Sequence, residues 1–142
     1  MWYFIRIYGQ AVLYFLVLTA CDKKQDASEK IARYAAVTEL KADKIAYYKE
    51  IHANAWSSVL AKIKECHIRN YSIYLKKIGM QYYLFSYFEY TGDHFDADMQ
   101  KMAADPETRR WWKETDPCQI PLPDAAAKGK VWSEMEEVFH TD

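Results

Sequence analysis

The sequence predicts one α+β domain over residues 31–142, with strands and helices in the order β-α-β-β-α-β. Three observations carry that reading. Strand-like alternation and helix-like spacing of apolar residues take turns along the chain. Two strand-like runs in the middle lie close together around a glycine, as in a hairpin. The composition is globular, with 51% hydrophobic and 27% charged residues in 142 and only 4 Gly and 4 Pro. So few glycines exclude collagen-like and linker-rich chains and leave no phosphate-cradling loop. The balance of 19 basic against 20 acidic residues gives a net charge of −1, so no basic footprint points to nucleic acid.

Residues 1–21 read as an address rather than as fold. Arg6 is followed by the apolar run Ala11–Leu18, which ends at Leu18-Thr19-Ala20-Cys21. That tetrapeptide resembles the lipobox of bacterial lipoproteins, in which the cysteine is lipidated and the preceding peptide removed. The expectation is a lipid anchor on Cys21 and a domain facing the periplasm or cell exterior. An uncleaved apolar anchor is the competing reading. Residues 22–30 (DKKQDASEK) lack apolar periodicity and form a tether.

Within the domain, Arg33–Leu40 alternates and is the first strand. Asp43 is a candidate N-cap. Ile45, Tyr48, His52, Trp56, Val59 and Ile63 then recur at helical steps, which predicts one long helix to about Glu65. Arg69–Leu75 alternates again, Lys76–Gly79 is a turn, and Met80–Tyr90 is the third strand. Tyr82, Leu84 and Phe88 point to one face of it, and Tyr83, Phe85 and Tyr87 to the other. A strand apolar on both faces is covered on both. One helical layer covers one side, so a second subunit is the expected cover for the other. Residues 93–104 form a second helix. Asp105-Pro106 starts a third, with Asp as N-cap and Pro at the first helical position. Pro117, Pro121 and Pro123 should break regular structure, and Val131–His140 alternates as the last strand. This order is the split βαβ of ferredoxin-like folds.

Chemistry is sought first where polar-tipped aromatics gather. Tyr48, His52 and Trp56 stand at i, i+4 and i+8, one above another on a helix. Tyr71, Trp111 and Trp112 can converge on them from other elements. Buried Tyr and Trp need hydrogen-bond partners, which a hydroxylated ligand supplies; a packed core stripe is the bland reading of the same residues. Asp93, Asp96 and Asp98 lack the glycine and terminal glutamate of a calcium loop, so helix capping explains them better. His67, His94 and His140 have no partner at metal-ligand spacing, and Arg109-Arg110 reads as a solvated pair. Asn70-Tyr71-Ser72 matches a glycosylation sequon but lies in a predicted strand. Cys66 and Cys118 are either a pair or two isolated thiols. No metal or cofactor motif occurs.

These residues also carry a resemblance. Tyr48-x-x-x-His52-x-x-x-Trp56 on the first helix, Asn70-Tyr71-x-Ile73-Tyr74-Leu75 on the second strand, Arg109-Arg110-Trp111-Trp112-Lys113, and the closing Glu136-Glu137-Val138-Phe139 together resemble the L-rhamnose mutarotase family. The resemblance implies a dimeric α+β barrel that interconverts the α and β anomers of a 6-deoxy sugar by general acid–base catalysis without a cofactor. It implies that His52 is the proton donor with Tyr48 beside it, that Tyr48, Tyr71 and Trp56 contact the sugar, and that Trp111 and Trp112 close the pocket. Asn54, Ala55, Ser57 and Ser58 surround Trp56 where the family commonly has prolines. Asp116-Pro117-Cys118-Gln119 looks more like relatives that act on L-fucose, so the implied sugar is L-rhamnose or L-fucose. The other classes open to the sequence are a non-catalytic sugar-binding lipoprotein and another activity, oxidative for example, of the dimeric barrel.

Overall fold

The computed structural model describes residues 30–141, so the lipobox at Cys21 and most of the tether lie outside the described residues. Five strands form one antiparallel sheet: β1 (Ala32–Leu40), β2 (Ile68–Ile78), β3 (Gln81–Tyr90), β4 (Gln119–Ile120) and β5 (Ser133–Met135). The path is β2-β3-β1-β4, and β5 also pairs with β1. Around it lie α1 (Ile45–Ala53), α2 (Ser57–Glu65), α3 (Phe95–Ala104), α4 (Pro106–Thr115) and the single turn α5 (Pro123–Ala126). The ferredoxin-like order is present, with the last strand split into two short pieces on the free edge of β1.

Alternation sorts the long strands cleanly. Pairing runs from Ala32↔Tyr90 to Leu40↔Tyr82, so the even residues of β1 and β3 share one face. Both hydrophobic clusters form on that face. Leu40, Leu84, Tyr48 and Cys118 make one, joined by Ile73, Leu75 and Trp132. Cys66, Ile68, Tyr90 and Met102 make the other, joined by Tyr34, Phe88, Phe95 and Trp112. Leu40 and Leu84 are 1% and 2% exposed, and burying each is worth about 1.5–3 kcal/mol. Tyr83, Phe85 and Tyr87 stand on the opposite face and belong to neither cluster. The hairpin turn is shorter than the sequence suggested. β2 runs on to Ile78, which pairs with Gln81, and Gly79 takes φ +59 in the two-residue loop.

Several expectations are corrected. The one helix from Ile45 to Glu65 is two helices, α1 and α2. Asn54 ends the first: its Nδ2 and its backbone N–H both donate to the Glu50 carbonyl, at 3.0 and 3.2 Å. Trp56 then takes an extended backbone, ψ 132°, before α2 begins. The apolar spacing stays in phase through the corner, so periodicity could not reveal it. Asp43 is not an N-cap; it lies within a 3₁₀ turn, Ala42–Lys44, and α1 begins without a side-chain cap. Nor do aspartates cap α3 by hydrogen bonding. Asp96 and Asp98 sit in its first turn, where the helix dipole favours them. Asp98 there accepts from Tyr90 Oη at 2.7 Å and pairs with His67 Nδ1 at 2.8 Å. Asp105 is the cap expected, accepting from the Thr108 N–H at 2.8 Å with Pro106 at the first position.

The proline-rich stretch is more regular than expected, holding a 3₁₀ turn (Asp116–Cys118), β4 and α5. Each proline stands where a missing N–H costs nothing, at a helix start or outside the ladder. The last strand is shorter than Val131–His140. Only Ser133–Met135 pairs; Glu136 and Glu137 break the alternation, and Val138 and Phe139 beyond are 91% and 80% exposed. Cys66 and Cys118 are free buried thiols in different clusters. Burial raises the pKa of both, which makes them inert.

Candidate active site

The site grows from α1. Tyr48 and His52 are one turn apart, and their rings stack at 4.1 Å and 28°. Trp111, which α4 presents 8% exposed, meets His52 edge-on at 5.2 Å and Trp56 at 5.4 Å. Trp56 owes its place to the corner between α1 and α2, which turns it against α4 and under the Arg110 guanidinium, 4.9 Å from its ring. Tyr47 Oη bonds Glu114 at 2.5 Å and ties α1 to α4 from outside. Tyr48, His52, Trp56 and Trp111 therefore form one continuous set.

Tyr71 reaches the same face through an irregularity in β2. Arg69 pairs with Glu89 and Ser72 with Tyr87, so two residues of β2, Asn70 and Tyr71, oppose the single Phe88. This is a β-bulge, and it shifts the alternation by one. Ile68 before it and Tyr71, Ile73 and Leu75 after it share the face that carries the helices. Tyr71 packs edge-on to Phe88 at 5.6 Å. Trp112 points away from Trp111, as helical neighbours must, and joins the cluster that contains Phe88. Its outer side borders a surface depression of about 440 Å³ lined by Arg109, Trp112, Lys113, Asp116 and Pro117; His52, Tyr48 and Tyr71 do not line it.

The polar tips are distinctive. His52 Nδ1 lies 2.8 Å from the Tyr48 carbonyl. A carbonyl only accepts, so Nδ1 carries a proton and the Nε2 position is the one that exchanges protons. Burial lowers the His52 pKa below the ordinary imidazole value, with the Tyr48 carbonyl bond opposing it. The ring rests neutral at neutral pH, with a lone pair on Nε2. Burial, then the neighbouring Tyr71, Cys118 and Asp116, push the Tyr48 hydroxyl far above the usual phenol range. Tyr71 as a whole residue is 44% exposed, yet burial raises the pKa of its hydroxyl as well. Both phenols thus stay protonated as donors. Among the described residues, neither hydroxyl nor His52 Nε2 has a hydrogen-bond partner.

Two residues of the L-fucose-like stretch stand at the site although the sequence did not mark them as site residues. Asp116 ends α4 close enough to act on Tyr48, and partial burial raises its own carboxyl pKa. Gln119 is 5% exposed; its Nε2 donates to the Thr115 carbonyl at 3.2 Å, while Oε1 is buried without a partner. The signal available was their place one and two turns beyond the double tryptophan, but Gln119 is held by β4, which is too short to predict. No cluster of three or more His, Cys, Asp or Glu able to hold a metal occurs among the described residues.

This arrangement offers a neutral imidazole, phenol donors and indole faces for a small hydroxylated ligand. Comparison with known proteins agrees in kind. Residues 33–141 match the L-rhamnose mutarotase family. An L-rhamnose mutarotase of Lactiplantibacillus plantarum is 29% identical over 112 residues, 79% of this chain and 100% of that protein. One from Opitutus terrae is 32% identical over 110 residues, covering 78% and 98%. A solved L-rhamnose mutarotase structure from Formosa agariphila aligns with a TM-score of 0.59 at 24% identity, over 78% of this chain and 99% of that one, and supports the fold. The aligned segment holds all the residues of the site, and the chain belongs to the L-rhamnose mutarotase family of carbohydrate isomerases.

Proposed function

We propose that this protein interconverts the α and β anomers of a 6-deoxyhexose, L-rhamnose first and L-fucose second, with His52 moving the proton. The observation that carries the reading is the hydrogen bond from His52 Nδ1 to the Tyr48 carbonyl, which reserves Nε2 for a ligand. Ring opening needs a proton taken from the anomeric hydroxyl and one given to the ring oxygen. Both oxygens are bonded to the same carbon, so one nitrogen serves both. Neutral His52 accepts the anomeric proton at Nε2, and the imidazolium gives it to the ring oxygen as the ring C–O bond breaks. The aldehyde rotates about C1–C2, and the reverse transfers close the ring on its other face. Tyr48 and Tyr71 donate to sugar oxygens, and Trp56 and Trp111 pack on C–H faces. General acid–base help of this kind is worth about 10²–10⁴-fold, or roughly 3–5 kcal/mol.

In this reading a second copy covers the outer sheet face, where Tyr83, Phe85 and Tyr87 lie away from both clusters. The N-terminal Leu18-Thr19-Ala20-Cys21 adds a lipid anchor, a reading that rests on the sequence pattern alone. Incorporation of labelled palmitate that disappears in Cys21→Ser supports it, and an unlabelled protein refutes it. The activity itself is tested by saturation-transfer NMR between sugar anomers. Acceleration for L-rhamnose or L-fucose is expected, and none with any 6-deoxyhexose contradicts the proposal.

A further inference from the structure

We propose that Asn70 is a positioning residue for the sugar-binding Tyr71, acting through the bulge in β2; this rests on the site proposed above. Strict alternation would pair Arg69 with Glu89 and place Tyr71 opposite Tyr87, on the face away from the helices. The observed register instead pairs Ser72 with Tyr87. The extra residue is accommodated at Asn70, whose φ of +50 lies in the left-handed region. Asparagine enters that region far more readily than other side chains, and a β-branched residue there is an outlier. Asn70 supplies the conformation that turns Tyr71 inward.

Its side chain also fixes the bulge. Asn70 Nδ2 donates to Glu89 Oε2 at 2.7 Å, and Arg69 Nε donates to the same oxygen at 3.1 Å. Tyr87 Oη donates to Glu89 Oε1 at 3.3 Å. One carboxylate thus holds the residues before and within the bulge against β3. The clamp lies on one face of the sheet and the ring it aims lies on the other. Among the described residues the Asn70 side chain hydrogen-bonds Glu89 and no residue of the site, so its effect on the reaction has to pass through Tyr71.

The test combines backbone and side-chain variants of the full chain. Asn70→Val, which resists positive φ, should lower anomer exchange about tenfold or more, a decade being 1.36 kcal/mol. Asn70→Gly, free to adopt φ +50, should stay within about threefold of wild type. In a Tyr71→Ala background, Asn70→Val should cost less than about a further twofold, because coupled residues are non-additive. If Asn70→Val does not fold, Asn70→Ala, which disfavours positive φ less severely than a β-branched residue, takes its place, and the same background comparison applies. 3-Fluorotyrosine placed at position 71 gives a readout independent of turnover: its ¹⁹F shift should move in Asn70→Val and return in Asn70→Gly. An unmoved resonance with unchanged exchange overturns the proposal, and so does an equal loss with and without Tyr71. Absence of exchange in the wild type would refute the mutarotase reading instead, and the ¹⁹F comparison would still decide the role of Asn70.

Discussion

Two histidine–tyrosine pairs in this molecule use the same groups in opposite ways. His67 and Tyr90 spend their polar atoms on the protein. Tyr90 Oη donates to Asp98 Oδ2 and accepts from the His94 N–H at 3.1 Å, and His67 Nδ1 meets the same carboxylate. Burial, then the bond to Asp98, push the Tyr90 hydroxyl up to about 12, while the donors from Tyr90 and His67 hold Asp98 below its ordinary pKa. That network closes the connection from β3 to α3. The rings of His52 and Tyr48 stack on each other, yet their Nε2 and hydroxyl bond no described residue. Hydrogen-bonding groups that the protein leaves open are available to a ligand. Unspent hydrogen-bonding capacity, not the mere presence of His and Tyr, separates the pair proposed to react from the structural one.

The contrast breaks most visibly at His52. Replacing it with Asn, which keeps polarity and approximate size, should slow anomer exchange roughly 10²-fold or more with little change in melting. Polarimetry on a freshly dissolved single anomer reads this. Tyr90→Phe should do the reverse, leaving exchange within about twofold and lowering the melting midpoint by roughly 4–8 °C. A Tyr90→Phe protein that melts normally would mean the closed network is ornamental. The smallest effect is the dependence on pH. The folded-state pKa of His52 lies below its unfolded value of about 6.5. The unfolded chain binds the proton first, so this contribution to stability is present above about pH 6.5 and is lost as pH falls through the folded pKa. Exchange should fall over the same window, since Nε2 must begin unprotonated, and it should be flat above it. Asp98 behaves alike at lower pH: its contribution is present above about 3.9 and lost below as its depressed pKa is passed. Exchange that rises as His52 protonates would assign it as an acid from the start.

Much of this was legible in residue order because it is local. β1, β3 and α4 announce themselves by alternation, helical spacing and Asp105-Pro106. Tyr48, His52, Trp111 and Tyr71 could be picked out as polar-tipped aromatics at helical spacing or in a strand. What stayed hidden depends on non-local or backbone events. The corner at Asn54–Trp56 keeps the apolar period intact, so nothing in the pattern marks it, although it is what turns Trp56 toward Trp111. β4 and β5 are two and three residues long and exist only because β1 is there to pair with. Gln119 depends on that pairing, so its place at the site could not be read from its neighbours in the chain. The bulge left a trace, since the apolar parity of β2 changes between Ile68 and Ile73, but only the register reveals its consequence for Tyr71.

The most direct test compares two substitutions in one experiment. Saturation transfer between the anomers of L-rhamnose is measured with wild type, His67→Asn and His52→Asn at equal folded concentration. Wild type and His67→Asn should accelerate exchange alike, while His52→Asn should fall close to the rate in buffer. Equal acceleration by all three proteins, or none by the wild type, would contradict it.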